Sequence, residues 1–380
     1  MSARLWFQRV TIGSFRNIQG LAFEPNHRLN LISGDNGHGK TSVLEALYAV
    51  ATTKSFRTDK LWQAIRSGDP QASVEARVRE DSFTRELCLR VKGRLRSVEL
   101  DGKRPKTFAS YAVRTPLVVF HPRDLTLVSG AASERRRLLD RLVLYADPQG
   151  TEAQKRYGEA IKARQKLLEQ RGEDAGELGA FEQVAAEYGV RFARARADAA
   201  ARFLPELTRA FEQVAPRGLS LDAQYEPAGS LELDVFREQL LTRRAEDARR
   251  GSPSFGPQRD ELSLNIDGRP ARSDASQGQQ RLLSLSLKLS ELRCIEATRR
   301  AHPVLLLDDV SSELDAQRMD SVLGFLEATT GQIFVTTTRP ELFRIAAFPA
   351  ADRIDFKMLE GALIQAPHSA LALAPGALPA

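Results

Sequence analysis

Cysteine is nearly absent: the 380-residue chain has two, Cys88 and Cys294, alone in apolar surroundings and without metal-ligand spacing. That argues against a disulfide framework and leaves buried thiols in a reducing cytoplasm as the default. Long apolar runs are missing too; none approaches the ~18 residues that a membrane helix requires. The N-terminus, MSARLWFQRV, has neither the long apolar core nor the small-residue cleavage site of a signal peptide, so a cytoplasmic protein with no membrane contact is expected. There is no internal repeat. Neither sign of charge dominates: Lys+Arg 55 against Asp+Glu 49 gives +6. That excess is compatible with binding a polyanion but is no evidence of it. Arginine clusters occur (Arg135, Arg136, Arg137 and Arg141; Arg191, Arg194 and Arg196; Arg243, Arg244, Arg249 and Arg250) without interleaved aromatics or a base-reading motif. Solvated helix faces with local acidic partners account for them equally well.

What is present begins with Gly34-Asp35-Asn36-Gly37-His38-Gly39-Lys40-Thr41, which fits G-x-x-x-x-G-K-[ST] and is followed by Ser42. Leu29 to Ile32 reads as a short buried strand entering this stretch, and Ser42 to Val50 as a helix leaving it. Strand, glycine-rich loop and helix aim backbone N–H groups and a helix N-terminus at a phosphate. The glycines permit the positive φ angles such a loop needs. Lys40 is expected on the β/γ-phosphates of a nucleoside triphosphate and the Thr41 hydroxyl on Mg²⁺.

Periodicity organises the remainder. Leu5 to Phe15 and Leu21 to Phe23 read as strands, and Ala72 to Val78, Thr84 to Val91 and Ser97 to Leu100 as a β-meander. Pro116 to Phe120 is a short apolar strand. From Ser133, a candidate N-cap, to about Arg250 the texture is charged and helical. Gly158, Gly189, Pro205 and Pro216 interrupt it, and sustained heptads are missing. A compact helical lobe is expected there rather than a coiled-coil arm. Glu261 to Ile266 returns to strand, Gln279 to Ala297 to helix, and Val304 to Leu307 and Ile333 to Val335 to buried strands. The expected division is 1–120 and 253–361 for an α/β body, 121–252 for the helical lobe, and 362–380 for a mobile tail rich in Ala, Pro and Leu.

Two further stretches carry chemistry. Val304-Leu305-Leu306-Leu307-Asp308-Asp309 is an apolar strand ending in two carboxylates, with Asp308 placed to hold Mg²⁺ through water. Ala275-Ser276-Gln277-Gly278-Gln279-Gln280 opens a helix with small and amide residues, an anion-binding end by the physics of the P-loop or, standing alone, a loop with good N-caps.

The order P-loop, helical insertion, Ser-Gln-Gly-Gln helix start, apolar-Asp-Asp strand resembles the ABC-type ATPases of the SMC/Rad50 group. The resemblance implies an α/β ABC-type ATPase head, a P-loop NTPase fold with an inserted, mainly helical second lobe. In that group the segment at Ser276 is the signature motif, Ser311-Ser312-Glu313-Leu314-Asp315 looks like the D-loop, and Val335-Thr336-Thr337-Thr338 lies where the switch histidine usually sits. Within the group the chain resembles the RecF family of bacterial recombination mediators, from Phe15-Arg16-Asn17 to about Arg339. Val118 to Val128, Glu134 to Asp140, Gly256 to Leu262, Ser276 to Leu289 and Leu305 to Asp315 carry the likeness. The chain has Arg123 where the family usually has Glu, and Gln258 where it usually has His.

The resemblance implies ATP and Mg²⁺ as cofactors. Gly34 to Ser42 of one copy would face Ser276, Gly278 and Gln279 of a second, giving an ATP-dependent homodimer. Lys40, Asp308 and Asp309 would form the catalytic set, with Thr41 and Asp308 serving the metal. It also implies DNA binding without sequence preference, RecR and RecO as partners, and a functional link to RecA. Asp309 stands where most ABC enzymes have Glu, and Thr337 at the switch position cannot act as an imidazole, so slow hydrolysis is expected. The rival readings lack their marks. A transporter subunit calls for a Leu-Ser-Gly-Gly-Gln-like signature, a Glu after Asp308 and a switch His; an SMC-type clamp calls for long heptads.

Overall fold

The structure is a computed structural model that describes residues 2–216, 218–309, 323–324, 326–327, 329–343 and 348–366. The D-loop candidate Ser311 to Asp315 and the tail from 367 lie outside the described residues. In chain order the first elements are β1 (Leu5–Phe15), β2 (Ile18–Phe23), β3 (Leu29–Ser33), α1 (Lys40–Thr52), β4 (Gln71–Glu80), β5 (Phe83–Lys92), β6 (Leu95–Leu100), α2 (Phe108–Ala112) and β7 (Leu117–Phe120). There follow α3 (Thr126–Ser129), α4 (Ala132–Ala146), α5 (Pro148–Arg171), α6 (Leu178–Val214), β8 (Leu221–Glu226), α7 (Leu233–Thr242) and α8 (Arg244–Arg250). The last are β9 (Glu261–Ile266), β10 (Arg269–Pro270), α9 (Ala271–Asp274), α10 (Gln277–Arg299), β11 (Val304–Asp308), β12 (Ile333–Thr337), β13 (Arg353–Leu359) and β14 (Ala362–Ala366). The chain divides into two compact units, Met1–Arg123 with Ile295–Ala380, and Asp124–Cys294.

The first unit is built on two sheets. One has the order β14-β13-β3-β12-β11-β7 and is parallel except for β14 at its edge; the other, β2-β1-β4-β5-β6, is antiparallel. Parallel strands covered on both faces read as continuous apolar runs, as Leu117 to Phe120 and Val304 to Leu307 do. The antiparallel strands alternate instead. In β1 the alternation changes phase between Phe7 and Val10, both buried, because one extra residue forms a bulge between Phe7 and Arg9. Helix α1 shares a core with both sheets, and nearly all of it is buried rather than one stripe. Its entry point, the P-loop, is thereby fixed.

The second unit holds α3 to α9, most of α10 and a small sheet of order β10-β9-β8. Helix α6 runs 37 residues through Pro205, which the sequence pattern marks as a break. Phe203, Leu207 and Phe211 are buried on either side of it, and tertiary burial outweighs the local cost of proline. Gly189 likewise stays helical: a Cβ there would lie 2.9 Å from the Phe236 ring and 3.0 Å from that of Tyr157, so the bare backbone allows close packing.

Several expectations are corrected. The second unit extends from 124 to 294, beyond the expected end at 252, because β9 pairs with β8, and β10 with β9, and neither joins the sheets of the first unit. Strand β8 lies inside the stretch read as mainly helical, where no strand is expected. Helix α4 begins at Ala132 with Ala131 in the cap position and no side-chain cap, so Ser133 is inside the helix. Residues 362–366 are not tail: they pair with β13 as β14. Cys294 is buried, but Cys88 on β5 is only half-buried.

Candidate nucleotide site

The P-loop leaves β3 in the interior of the parallel sheet, at the C-terminal ends of the strands, where open α/β sheets place their ligands. Gly34 has φ 148, and a Cβ there would lie 2.5 Å from the Met358 carbonyl oxygen. At Gly39, φ 114, a Cβ would meet Asn17 and the Met358 methyl at 2.9 Å. Gly34, facing a backbone carbonyl, therefore needs glycine for space as well as for conformation, and Gly39 for its positive φ. The remaining loop runs into the start of α1, whose first backbone N–H groups have no partner within the helix. Lys40 is buried, and its Nζ donates to the carbonyls of Gly34 (2.7 Å) and Asp35 (3.0 Å), which holds the cation over its own loop. Burial lowers the Lys40 pKa, while Asp309, Asp308 and Asp35 oppose that shift.

Thr41 Oγ1 donates to Asp308 Oδ1 at 2.8 Å, across 267 residues of sequence. The P-loop and the Asp-Asp strand end thus form one site within the first unit. Asp308 is buried, and burial raises its pKa; hydrogen bonds from Thr336 and Thr41 pull the other way, Asp309 adds to the rise, and Arg57 opposes it. A hydroxyl and a carboxylate side by side form an all-oxygen donor set, the kind Mg²⁺ accepts together with water. Asp309 leaves the strand with φ 50, uncommon for a residue other than glycine.

Other contacts brace the loop. Ser42, expected at the nucleotide, donates its hydroxyl to Asn17 Oδ1 at 2.8 Å, and Asn17 Nδ2 donates to the Gly37 carbonyl at 3.2 Å. At the loop tip, the His38 carbonyl accepts from the Gly361 N–H at 3.0 Å in the β13–β14 turn. Glu45 on α1 is fully buried and accepts from Arg16 (2.7 and 2.9 Å), Ser55 (2.5 Å) and Arg57 (3.3 Å). This anchors the polar segment after α1, whose Phe56 stacks on His121 at 5.1 Å. Arg123, the departure from the family pattern, donates to the Arg57 carbonyl at 2.8 Å. Thr336 was missed: it donates to Asp308, whereas Thr337, the expected switch position, accepts from the Arg339 N–H at 2.8 Å.

The signature segment belongs to the second unit, at the start of α10. Ser276 N–H donates to Gln279 Oε1 at 2.8 Å and Gln279 N–H to Ser276 Oγ at 3.2 Å, a reciprocal capping box. Gln279, expected at the nucleotide, here holds the helix start. Ser276 Oγ only accepts in this bond and keeps its own proton to donate. Gly278 follows in the first turn of α10.

The arginine clusters divide between interior and surface: Arg135 and Arg196 are buried, whereas Arg137, Arg191, Arg194, Arg249 and Arg250 are exposed. Arg135 pairs with Glu261 (2.9 Å), Arg141 with Glu291 (2.6 Å), Arg196 with Asp140 (2.7 Å) and Asp260 (2.6 Å), and Arg244 with Glu182 (2.6 Å). Arg136 donates to the Asp260 carbonyl at 2.8 Å. The exposed Arg137, Arg191 and Arg250 pair with glutamates one turn away on their own helices. In the Gly256 to Leu262 stretch, Asp260 accepts from Arg196, Tyr225 and the Ala228 N–H, and Gln258 bonds Tyr157.

A P-loop within a parallel sheet, an aspartate brought to its threonine from two strands away, an antiparallel sheet packed on the same helix, and a signature-bearing second unit define an ABC-type ATPase head. The family model of the RecF/RecN/SMC N-terminal domain matches residues 6–356, and the chain belongs to the RecF family of DNA replication and repair proteins. It is 36% identical over 351 residues to RecF of Myxococcus xanthus, covering 88% of this chain and 91% of that one. With RecF of Anaeromyxobacter sp. it shares 35% over 364 residues, covering 93% and 97%. A solved structure of the recombination mediator RecF with ATP superposes with a TM-score of 0.84 at 26% identity, covering 97% of this chain and 99% of that one. An Smc head from Pyrococcus furiosus, at TM-score 0.56 and 15% identity over 95% of this chain and 96% of its own, shares the fold.

Proposed function

We propose that this chain is an ATP-dependent DNA-binding protein of recombinational repair and replication, with ATP serving mainly as a dimerisation switch. The observation that carries the reading is the 2.8 Å bond from Thr41 to Asp308, which joins the P-loop to the Walker-B carboxylate. The RecF structure that contains ATP supports the choice of nucleotide. Gly34 to Thr41 would cradle the phosphates, with Lys40 on the β/γ-phosphates. Mg²⁺ would be held by Thr41 directly and by Asp308 through water. Bound Mg–ATP supplies the transferable γ-phosphoryl group and the charge that neutralises it. Asp309 orients the attacking water, one methylene short of the usual glutamate. Thr337 offers no imidazole, and turnover is slow.

The capping box at Ser276 leaves a hydroxyl proton and the first backbone N–H groups of α10 for a γ-phosphate bound to another copy. ATP then favours the dimer because those contacts exist only while the γ-phosphate is present. DNA contacts are to phosphates without base readout, and so weaken steeply with salt. Gapped or single-strand/duplex junctions are the substrates, RecR and RecO the partners, and RecA loading with the SOS response the outcome. Sedimentation with ADP and with a non-hydrolysable ATP analogue, and gapped-duplex binding with and without ATP, test the reading. A mass that does not change between the nucleotides, or DNA binding indifferent to ATP, would refute it.

A further inference from the structure

We infer that Thr336 is a positioning residue of the nucleotide site, its single hydroxyl setting both the Asp308 carboxylate and the backbone turn that carries Asp309. The inference rests on the reading of this site as a Mg–nucleotide site. Strand β12 lies between β3, which feeds the P-loop, and β11, which delivers the aspartates. The register puts Thr336 opposite Ile32 on one side and Asp308 on the other. Paired positions on neighbouring strands direct their side chains to the same face. Thr336 Oγ1 accordingly donates to Asp308 Oδ1 at 2.8 Å and accepts from the Asp309 N–H at 3.0 Å.

A hydroxyl has one proton and two lone pairs, and the two bonds use the proton and one lone pair. The Leu307 carbonyl, at 3.5 Å, is the poorer competing acceptor. Thr336 is fully buried, so solvent has little access to either bond. The Asp308 oxygen that accepts from Thr336 also accepts from Thr41, which fixes the carboxylate against the P-loop threonine from two sides. The Asp309 N–H also points at the Thr336 carbonyl, at 3.2 Å, so both ends of this contact hold the left-handed residue in place. Groups that orient a metal-binding carboxylate commonly change metal affinity 10–100-fold when lost.

Thr336→Val removes the hydroxyl while keeping a β-branched side chain suited to a strand, and Thr336→Ser keeps the hydroxyl without the methyl group. A fluorescent ATP analogue is titrated against each protein in EDTA and over a range of Mg²⁺, and steady-state hydrolysis is measured at saturating Mg²⁺. Thr336→Val is expected to raise the Mg²⁺ midpoint roughly tenfold and to leave affinity in EDTA unchanged. It lowers kcat through Asp309 with little change in KM, and Thr336→Ser restores both values. Should Thr336→Val not fold, Thr336→Ala is the hydroxyl-free variant, read against the same serine control. A wild-type Mg²⁺ midpoint and kcat in a folded hydroxyl-free variant overturns the inference. So does a serine variant as impaired as valine, which would make the role one of packing. Wild-type protein whose nucleotide binding ignores Mg²⁺ overturns the underlying reading as well, and is recognised before any variant is made.

Discussion

In the second unit the buried carboxylate of Asp260 accepts from the Arg196 guanidinium, whereas in the first unit the buried carboxylate of Asp308 accepts from two threonine hydroxyls. The same contrast recurs. Arg164, with no exposure, donates to Glu182 (3.0 Å) and Asp247 (2.6 Å), and Glu291 accepts from Arg141 and Lys288. Burial pushes the carboxyl of Glu291 up, yet Arg141 and Lys288 bring it down to about 2. Burial also pushes Asp308 up, and there the threonine bonds and Arg57 do not bring it back. Cations are thus paired with Glu182, Asp247, Asp260 and Glu291 in the second unit. Two hydroxyls orient Asp308 without neutralising it, unlike Glu45 of the same unit, which is paired with Arg16 and Arg57, and this leaves at Asp308 a demand for positive charge that a divalent cation meets.

The contrast breaks most visibly where a closed network loses its cation. Arg164→Met leaves Asp247 buried without its guanidinium, and Glu182 with Arg244 alone; a stability loss of about 3–5 kcal/mol is expected in urea unfolding. A loss below about 1 kcal/mol would mean that the network is slack and that its cation does not set it apart from Asp308. In the first unit the corresponding loss is of binding. Lys40→Ala is expected to weaken ATP affinity about 100-fold, the equivalent of one or two charge-assisted hydrogen bonds, with the melting temperature of the nucleotide-free protein nearly unchanged. Nucleotide affinity within threefold of wild type would separate Lys40 from the phosphates.

How much of this was legible depends on how local each signal is. The P-loop, β1, β9 and the Asp-Asp strand end show in glycine spacing, alternation and apolar runs, all of which lie within a dozen residues. Strand β8 alternates as well, with Leu221, Ala223 and Tyr225 half-buried and Asp222, Gln224 and Glu226 exposed, but it is a six-residue run within a charged helical stretch, and its partner β9 lies about 40 residues away. The arginine clusters read as solvated faces, which holds for Arg137, Arg191 and Arg250 but not for Arg196, because helical spacing says nothing of what a long side chain reaches: Arg196 meets Asp140, 56 residues earlier, and Asp260, 64 later. Thr336 and Thr337 are adjacent threonines at the end of one strand. Only the register against β11 distinguishes the one that touches Asp308, and register is a property of the sheet.

Glu291 is depressed from an ordinary 4.5 to about 2. Between those values the unfolded chain takes up a proton that the folded one refuses. The stability Glu291 contributes is therefore fully present above about pH 4.5 and is lost as pH falls toward 2, up to roughly 3 kcal/mol. Wild-type protein should lose stability across that window and Glu291→Gln should lose less; parallel curves would show that Arg141 and Lys288 do not hold the charge.

The smallest effect has the opposite sign. Asp308 has a raised pKa, so the folded chain binds its proton more tightly than the unfolded chain does. The penalty is absent below the ordinary carboxylate range, grows as pH rises through the folded value and is in force at neutral pH. Asp308→Asn removes the buried charge and keeps an oxygen for Thr41 and Thr336. The metal-free protein should then gain on the order of 1 kcal/mol at neutral pH, while the Mg²⁺ dependence of nucleotide binding disappears. Its Arg-paired counterpart, Asp260→Asn, should destabilise under the same conditions, since it leaves Arg196 with Asp140 as its one carboxylate. If Asp308→Asn destabilised the metal-free protein as Asp260→Asn does, the aspartate would be closed by the fold alone, and the site would have no need of a metal.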